Sequence, residues 1–469
     1  MTFEAGDPAR ASPRPPPRGG DRPSARPDPA GAIRGALSFA DPAQPDGAAV
    51  PRPRHREGIP RDRAPDSTLA LLREGYAFIP GRCRAYGSDL FATRLMLTRA
   101  ICMTGAEAAA RFYEPDRFTR RHALPRASFA LIQDQGSVMV LDGEAHRWRK
   151  AMFLSLMAPA ALERLAEATA RHWRARARAW AAQERVVLLD EAHVPLTAAV
   201  CEWAGLPLTA AEAEARAREF LAMIDGTGSV GPRNWRGHRL RARTERWARE
   251  AIAHVREGRR EAPPGSAVHV IAHHRDPEGR PLDLTVAGVE LINVLRPTVA
   301  NARYLVFAAH ALHLHPETRE TLRAGDEADL THFVHEVRRF YPFIPFIGGR
   351  VLAPFEFQGH RFARNDWVLM DLYGTNRDPR LWEAPERFRP ERFRAWSGDP
   401  NTLIPQGGGA HETGHRCPGE WITLAQMKAV VPLLVREMAY AVPDQDLRID
   451  LGRIPAQPRD RFVIAPARP

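Results

Sequence analysis

The chain has 469 residues, 44% of them hydrophobic and 26% charged, which is the composition of a globular protein and excludes a disordered or fibrous one. Its net charge of +11 invites a nucleic-acid role, but only Lys150 and Lys428 of the 67 basic residues are lysines and the arginines are dispersed, with no basic stripe or finger pattern. No stretch reaches the ~18 uncharged apolar residues of a membrane span, no apolar signal core opens the chain, and Cys83, Cys102, Cys201 and Cys417 lack any C-x-x-C pairing, which argues against a zinc site and fits a reducing cytoplasm.

Residues 1–58 are rich in proline and arginine and poor in large apolar side chains. Such a segment cannot offset its ordering entropy by burial and is expected to be a disordered extension, or the product of a start assigned too far upstream. Residues 59–469 read as one continuous domain, mostly α with small β-sheets. Amphipathic helical patterns run over 160–182 and 209–223, and short strand-like pieces lie near 350–357 and 367–372. His146 and Lys150 stand i,i+4 on one helical face, which by itself describes a solvated surface.

The most apolar stretch, 284–314, is interrupted by Glu290, Arg296 and Arg303. Arg296 sits in its middle, and its helical neighbours Ile292, Asn293, Val299 and Ala300 include no carboxylate. A buried guanidinium needs a partner, so the segment predicts either an anion site or a carboxylate from a distant part of the chain. Pro297 removes a backbone donor and is expected to kink the helix.

Further on, Glu336-Val-Arg-Arg339 puts a carboxylate and a guanidinium on one helical face. Asn376-Arg-Asp-Pro379 and Pro385-Glu-Arg-Phe-Arg-Pro-Glu-Arg392-Phe393 follow, the latter supplying a third charge. Then Pro405-Gln-Gly-Gly-Gly-Ala-His-Glu-Thr-Gly-His-Arg-Cys417-Pro-Gly-Glu leads into an apolar run. A glycine-rich loop thus delivers one thiol to the start of a buried helix, whose terminus favours a thiolate and whose first N–H groups, from Gly419 to Trp421, can donate to sulfur.

In this order and spacing the three segments resemble the E-x-x-R helix, the meander and the cysteine loop of cytochromes P450. The resemblance implies the cytochrome P450 fold, haem b as cofactor with Cys417 as its axial thiolate, and a buried charge cluster of Glu336, Arg339 and Arg392. One departure is clear. Most of that superfamily has Phe seven residues before the cysteine and Gly four before, where this chain has Ala410 and Thr413.

Arg296-Pro297 stands where oxygen-activating members carry an acid–alcohol pair. This resembles the bacterial fatty-acid peroxygenase branch, a likeness that extends to Leu71-Leu-Arg-Glu-Gly-Tyr76 and Leu372-Tyr-Gly-Thr-Asn376. It implies a long-chain fatty acid as substrate, hydrogen peroxide as co-substrate, no redox partner, and hydroxylation at the α or β carbon. The substrate carboxylate, held on Arg296, would serve as general base and then acid. It also implies that Arg120, His146 and Lys150 face the haem propionates and that Met139, Ala300, Phe343 and Ile344 line the substrate pocket. Met139 offers no strong hydrogen bond, which leaves decarboxylation to a terminal alkene open. Two further alternatives are a reductase-dependent monooxygenase using Thr298 and a haem sensor or carrier without turnover.

Overall fold

The periodic apolar positions become the helices α1 (Gly143–Ser155), α2 (Pro159–Trp180), α3 (Leu188–Trp203), α4 (Ala210–Gly226) and α5 (Pro232–Arg256). These are followed by α6 (Leu284–Ala300), α7 (Ala302–Leu314), α8 (Glu327–Phe340) and α9 (Glu420–Pro432). The computed structural model describes residues 58–133 and 136–467, so the expected N-terminal extension lies outside the described residues, apart from Gly58. Helix starts follow side-chain chemistry. Thr209 and Glu212 form a reciprocal capping box at α4, while Asp283 and Asp326 accept the first N–H groups of α6 and α8.

Helices α6 and α7 form the axis of the fold. Leu291, Leu295 and Val299 pack with Phe153, Phe220 and Ile252 in one core; Leu305, Phe307 and Leu312 pack with Trp173, Phe333 and Leu434 in a second. A helix apolar on every side belongs in the interior, which makes its few charges conspicuous. The helix continues through Pro297 and gives way only at Asn301. There Asn301 donates from Nδ2 to Gln426 Oε1 at 2.8 Å, and Thr423 donates to Asn301 Oδ1 at 3.0 Å, tying the break to α9.

The sheets are small. One combines β1 (Leu90–Leu95), β2 (Thr98–Met103), β3 (Phe118–Thr119), β5 (Phe346–Val351) and β8 (Trp367–Asp371) in the order β1-β2-β8-β5-β3. Only the β2–β8 pairing is parallel. Another joins β4 (Val186–Val187), β10 (Val463–Pro466) and β9 (Tyr440–Ala441), and β6 (Phe355–Phe357) pairs with β7 (His360–Phe362). The strand expected over 350–357 is therefore two, separated at Pro354, which cannot donate to a ladder. Among the described residues no helix is long and apolar enough to cross a membrane.

Candidate active site

The cysteine loop is shaped by positions only glycine tolerates. Gly407 and Gly409 adopt φ of +97° and +74°. A Cβ on Gly409 would lie 2.6 Å from Tyr113 Cβ. The glycine that the resemblance places four residues before the cysteine is displaced by one. Gly414 donates its N–H to Ala410 O at 3.1 Å, and a Cβ there would approach that oxygen to 2.8 Å. The loop is pinned from outside by Lys150, whose Nζ donates to the carbonyls of Gly414 and Arg416, and from inside by the Cys417 N–H bond to Gln406 O at 3.1 Å. Cys417 stands just ahead of α9. Burial pushes its thiol up, while the Gly419 N–H donated to the sulfur and the charges of Lys150 and Arg338 oppose that rise.

Glu336, Arg339 and Arg392 come together in one ion-paired group. Glu336 is fully buried and takes a two-pronged pair from Arg339, Nε to Oε2 at 2.7 Å and Nη2 to Oε1 at 2.8 Å. Arg392 Nε reaches Oε2 at 3.2 Å, and the Arg389 N–H donates to Oε1 at 2.7 Å. Arg339 also donates to the carbonyls of Asn376 and Pro385, fastening α8 to the meander. The neighbouring Arg338, which the motif alone does not single out, is paired with buried Glu420 at the start of α9, and Arg416 meets the same carboxylate.

A cavity of about 430 Å³ opens in front of Cys417 and is bordered by α6. Its lining includes Cys417, Arg296, Pro297, Ala300, Met139, Phe343 and Ile344, together with Arg120, His146 and Lys150. Arg296 is only 6% exposed. Its Nη2 donates to the Ile132 carbonyl and its Nε has no partner; among the described residues no carboxylate pairs with it. Burial, reinforced by the positive charge of Arg241, pushes its pKa down to about 9, with Cys417 acting the other way. Of the two alternatives left by the sequence, a distant carboxylate is not what the described residues supply. Thr298 donates its hydroxyl to Val294 O at 2.7 Å, within its own helix.

Charge is unevenly distributed over Arg120, His146 and Lys150. His146 is pushed down to about 4 by burial and by Lys150 and Arg120, so it is uncharged near neutrality. It lies against His415, ring centroids 4.0 Å apart. Arg120 is buried against the Phe112 ring, and its Nε and Nη1 have no hydrogen-bond partner. A largely apolar cavity lined by one cysteine thiol and by guanidinium donors left without partners fits a haem, whose propionates would answer those donors.

Sequence reasoning missed three participants. His415 lines the cavity, and its only signal was its place in the loop. Glu290 is fully buried. It accepts from Val138 N–H at 2.8 Å, Arg149 Nη1 at 2.9 Å and Asn293 Nδ2 at 3.0 Å. Arg303 is 1% exposed, pairs with Asp225 and also lines the cavity. Both charges interrupt the apolar run, which marks them as special without naming their partners.

Comparison with known proteins agrees with this geometry. The family model for cytochrome P450 matches residues 330–458. The solved structure of cytochrome P450SP alpha (CYP152B1) is 46% identical, covering 86% of this chain and 98% of its own, with a TM-score of 0.84. Cytochrome P450EX alpha (CYP152N1) with myristic acid is 39% identical over 87% of this chain and 99% of its own, TM-score 0.84. A variant of cytochrome P450 OleT in complex with arachidonic acid is 34% identical over 87% of this chain and 98% of its own, TM-score 0.84. Among curated relatives, cytochrome P450 137 of Mycobacterium tuberculosis is 30% identical over 182 residues, so that the match spans 37% of this chain and 37% of that relative.

Proposed function

The chain belongs to the cytochrome P450 family, and we propose that it is a haem-thiolate peroxygenase that hydroxylates long-chain fatty acids at the α or β carbon with hydrogen peroxide. One observation carries this reading: buried Arg296, lacking a carboxylate partner among the described residues, shares its cavity with Cys417. The fatty acids bound in the structures of P450EX alpha and P450 OleT are of the same class.

Haem would be held by Cys417 and would supply the oxidising centre, since thiolate donation favours cleavage of a peroxide O–O bond. Arg296 binds the substrate carboxylate by charge-assisted hydrogen bonds and so fixes the first carbons of the chain nearest the reacting centre. Positioned there, a substrate carboxylate oxygen would take a proton from one oxygen of hydrogen peroxide and deliver it to the other, which leaves as water, a form of catalysis that typically contributes ~10²–10⁴-fold. Pro297 occupies the next position, where it removes one backbone donor from the helix beside Arg296. Apolar lining from Ala300, Phe343 and Met139 keeps water from the alkyl chain. Arg120 and Lys150 would answer the propionates, with His146 and His415 beside them.

No redox partner enters this scheme, and the Thr298 hydroxyl, which donates to Val294 O, has no part in it. Met139 supplies no strong donor to fix the outcome, so terminal alkenes are a second product class. The four cysteines form no disulfide, which supports a cytoplasmic location.

The test is purified holoenzyme given a long-chain fatty acid and hydrogen peroxide, without reductase, with products resolved by mass. Hydroxy acids or terminal alkenes are expected. Turnover that appears only when a reductase system is added would overturn the proposal.

A further inference from the structure

Arg303 is the second guanidinium that α6–α7 carries into the interior, and the scheme above leaves it idle. It lies seven residues beyond Arg296, on the other side of the break at Asn301. Both side chains line the one cavity. Around Arg303 the wall is formed by Thr227 and Gly228, just past the end of α4, and by Ile454 and Pro455 from the C-terminal part of the chain.

Its local pairing is incomplete. Nη2 is engaged on Asp225 Oδ1 at 2.5 Å, while Nε and Nη1 are buried with no hydrogen-bond partner among the described residues. Asp225 is itself shared, since Arg453 Nη2 stands 3.5 Å from its other oxygen. Arg233, held on the Ile454 carbonyl, adds a third positive charge to the group. Arg303 and Arg453 thus share one carboxylate with Arg233 nearby, and of these three it is Arg303 that lines the apolar cavity. A buried donor left without an acceptor is destabilising, and a site with excess positive charge recruits an anion.

We propose that Arg303 is a second acid anchor, and that the cavity takes acyl chains with an acidic group at both ends, α,ω-dicarboxylic acids, with one carboxylate on Arg296 and the other on Arg303. This rests on the peroxygenase reading for the role of Arg296. Oxidation would still fall on the carbons beside the Arg296 end. The far carboxylate would fix how deep the chain reaches.

The experiment titrates holoenzyme with α,ω-diacids from C8 to C18, with their half methyl esters and with the matching monoacids, following the haem absorption change. At one or more lengths the diacid is expected to bind about 10-fold or more tightly than its half ester, the scale of a charge-assisted hydrogen bond. In Arg303→Met the ratio of diacid to half-ester affinity should fall to about one. A purely structural ion pair with Asp225 would alter stability and leave that ratio where it was. If the variant does not fold, the wild-type comparison decides alone. Half esters binding as well as diacids at every length would overturn this inference while leaving the peroxygenase reading intact. If no acid of any kind bound, it is the peroxygenase reading that would fall.

Discussion

Glu290 accepts the backbone N–H of Val138 at 2.8 Å, across 152 residues of sequence. The bond fastens α6 to the short turn that carries Met139, and Arg149 and Asn293 complete the carboxylate's partners. Burial pushes the Glu290 carboxyl up, and Arg149, Asn293 and the Val138 N–H pull against that. Glu290 is thus a positioning residue for the cavity wall around Met139. Glu290→Ala leaves Arg149 uncompensated and should cost about 3–5 kcal/mol, read from thermal unfolding. It should also change the ratio of α- to β-oxidised products, whereas Glu290→Gln, which keeps an acceptor for Val138, should hold that ratio nearer the parent's. Equal ratios in all three proteins would show that the turn is held by other means.

Arg296→Ala should lose fatty-acid turnover by about 10²–10⁴-fold while the haem spectrum persists. The pH dependence has a definite sign. With its pKa pushed down to about 9 by burial, Arg296 is charged below that pH and neutral above it. Carboxylate binding favours the charged form, so affinity should be level from pH 7 to about 8.5 and then fall up to tenfold per unit above about 9. A titration of myristic acid binding that stays flat to pH 10.5 would contradict this.

Cys417→Ala should remove the thiolate-type absorption band of the reduced carbon monoxide complex. An unchanged band would mean that another residue ligates the iron.

Glu336→Gln removes the one negative charge that answers both Arg339 and Arg392. Two buried guanidiniums then face a neutral amide, and the loss should be about 3–5 kcal/mol, seen as a lower unfolding temperature and loss of haem on gel filtration. Full haem retention at parent stability would contradict the assigned role.

Gly409→Ala forces a side chain to φ of +74° and brings its Cβ to 2.6 Å from that of Tyr113. The backbone alone should cost about 1–2 kcal/mol, and the clash adds to it. Denaturant midpoints of parent and variant measure the difference, and coincident midpoints would rule out the strain.

Much of the site could be read from the chain because its signals are local. The glycine loop, the thiol and the E-x-x-R pair are each contained within a dozen residues, and the helical periodicity around Arg296 declares a charge in an apolar setting. What sequence could not supply is the partner. Glu290 meets Arg149 and Val138, Arg303 meets Asp225, and Arg338 meets Glu420, each across dozens of residues. Periodicity states that a charge is buried and is silent on what answers it. The charge of His146 was likewise hidden, since its depression needs Arg120 and Lys150 close by in space as well as burial. Arg120 stands 26 positions earlier in the chain, too far for helical spacing to reveal.

Asn301, where the long helix breaks, is bonded through both ends of its amide to Thr423 and Gln426 on α9. The pocket and the thiol are therefore built on one chassis. Mutational drift can reshape the chain-binding end through Ile454, Pro455 or the residues past α4, because those positions bear no share of this joint. Exchange of Asn301, by contrast, alters substrate fit and ligand geometry in a single step. The freedom to acquire new acyl preferences accordingly lies in the periphery of the cavity.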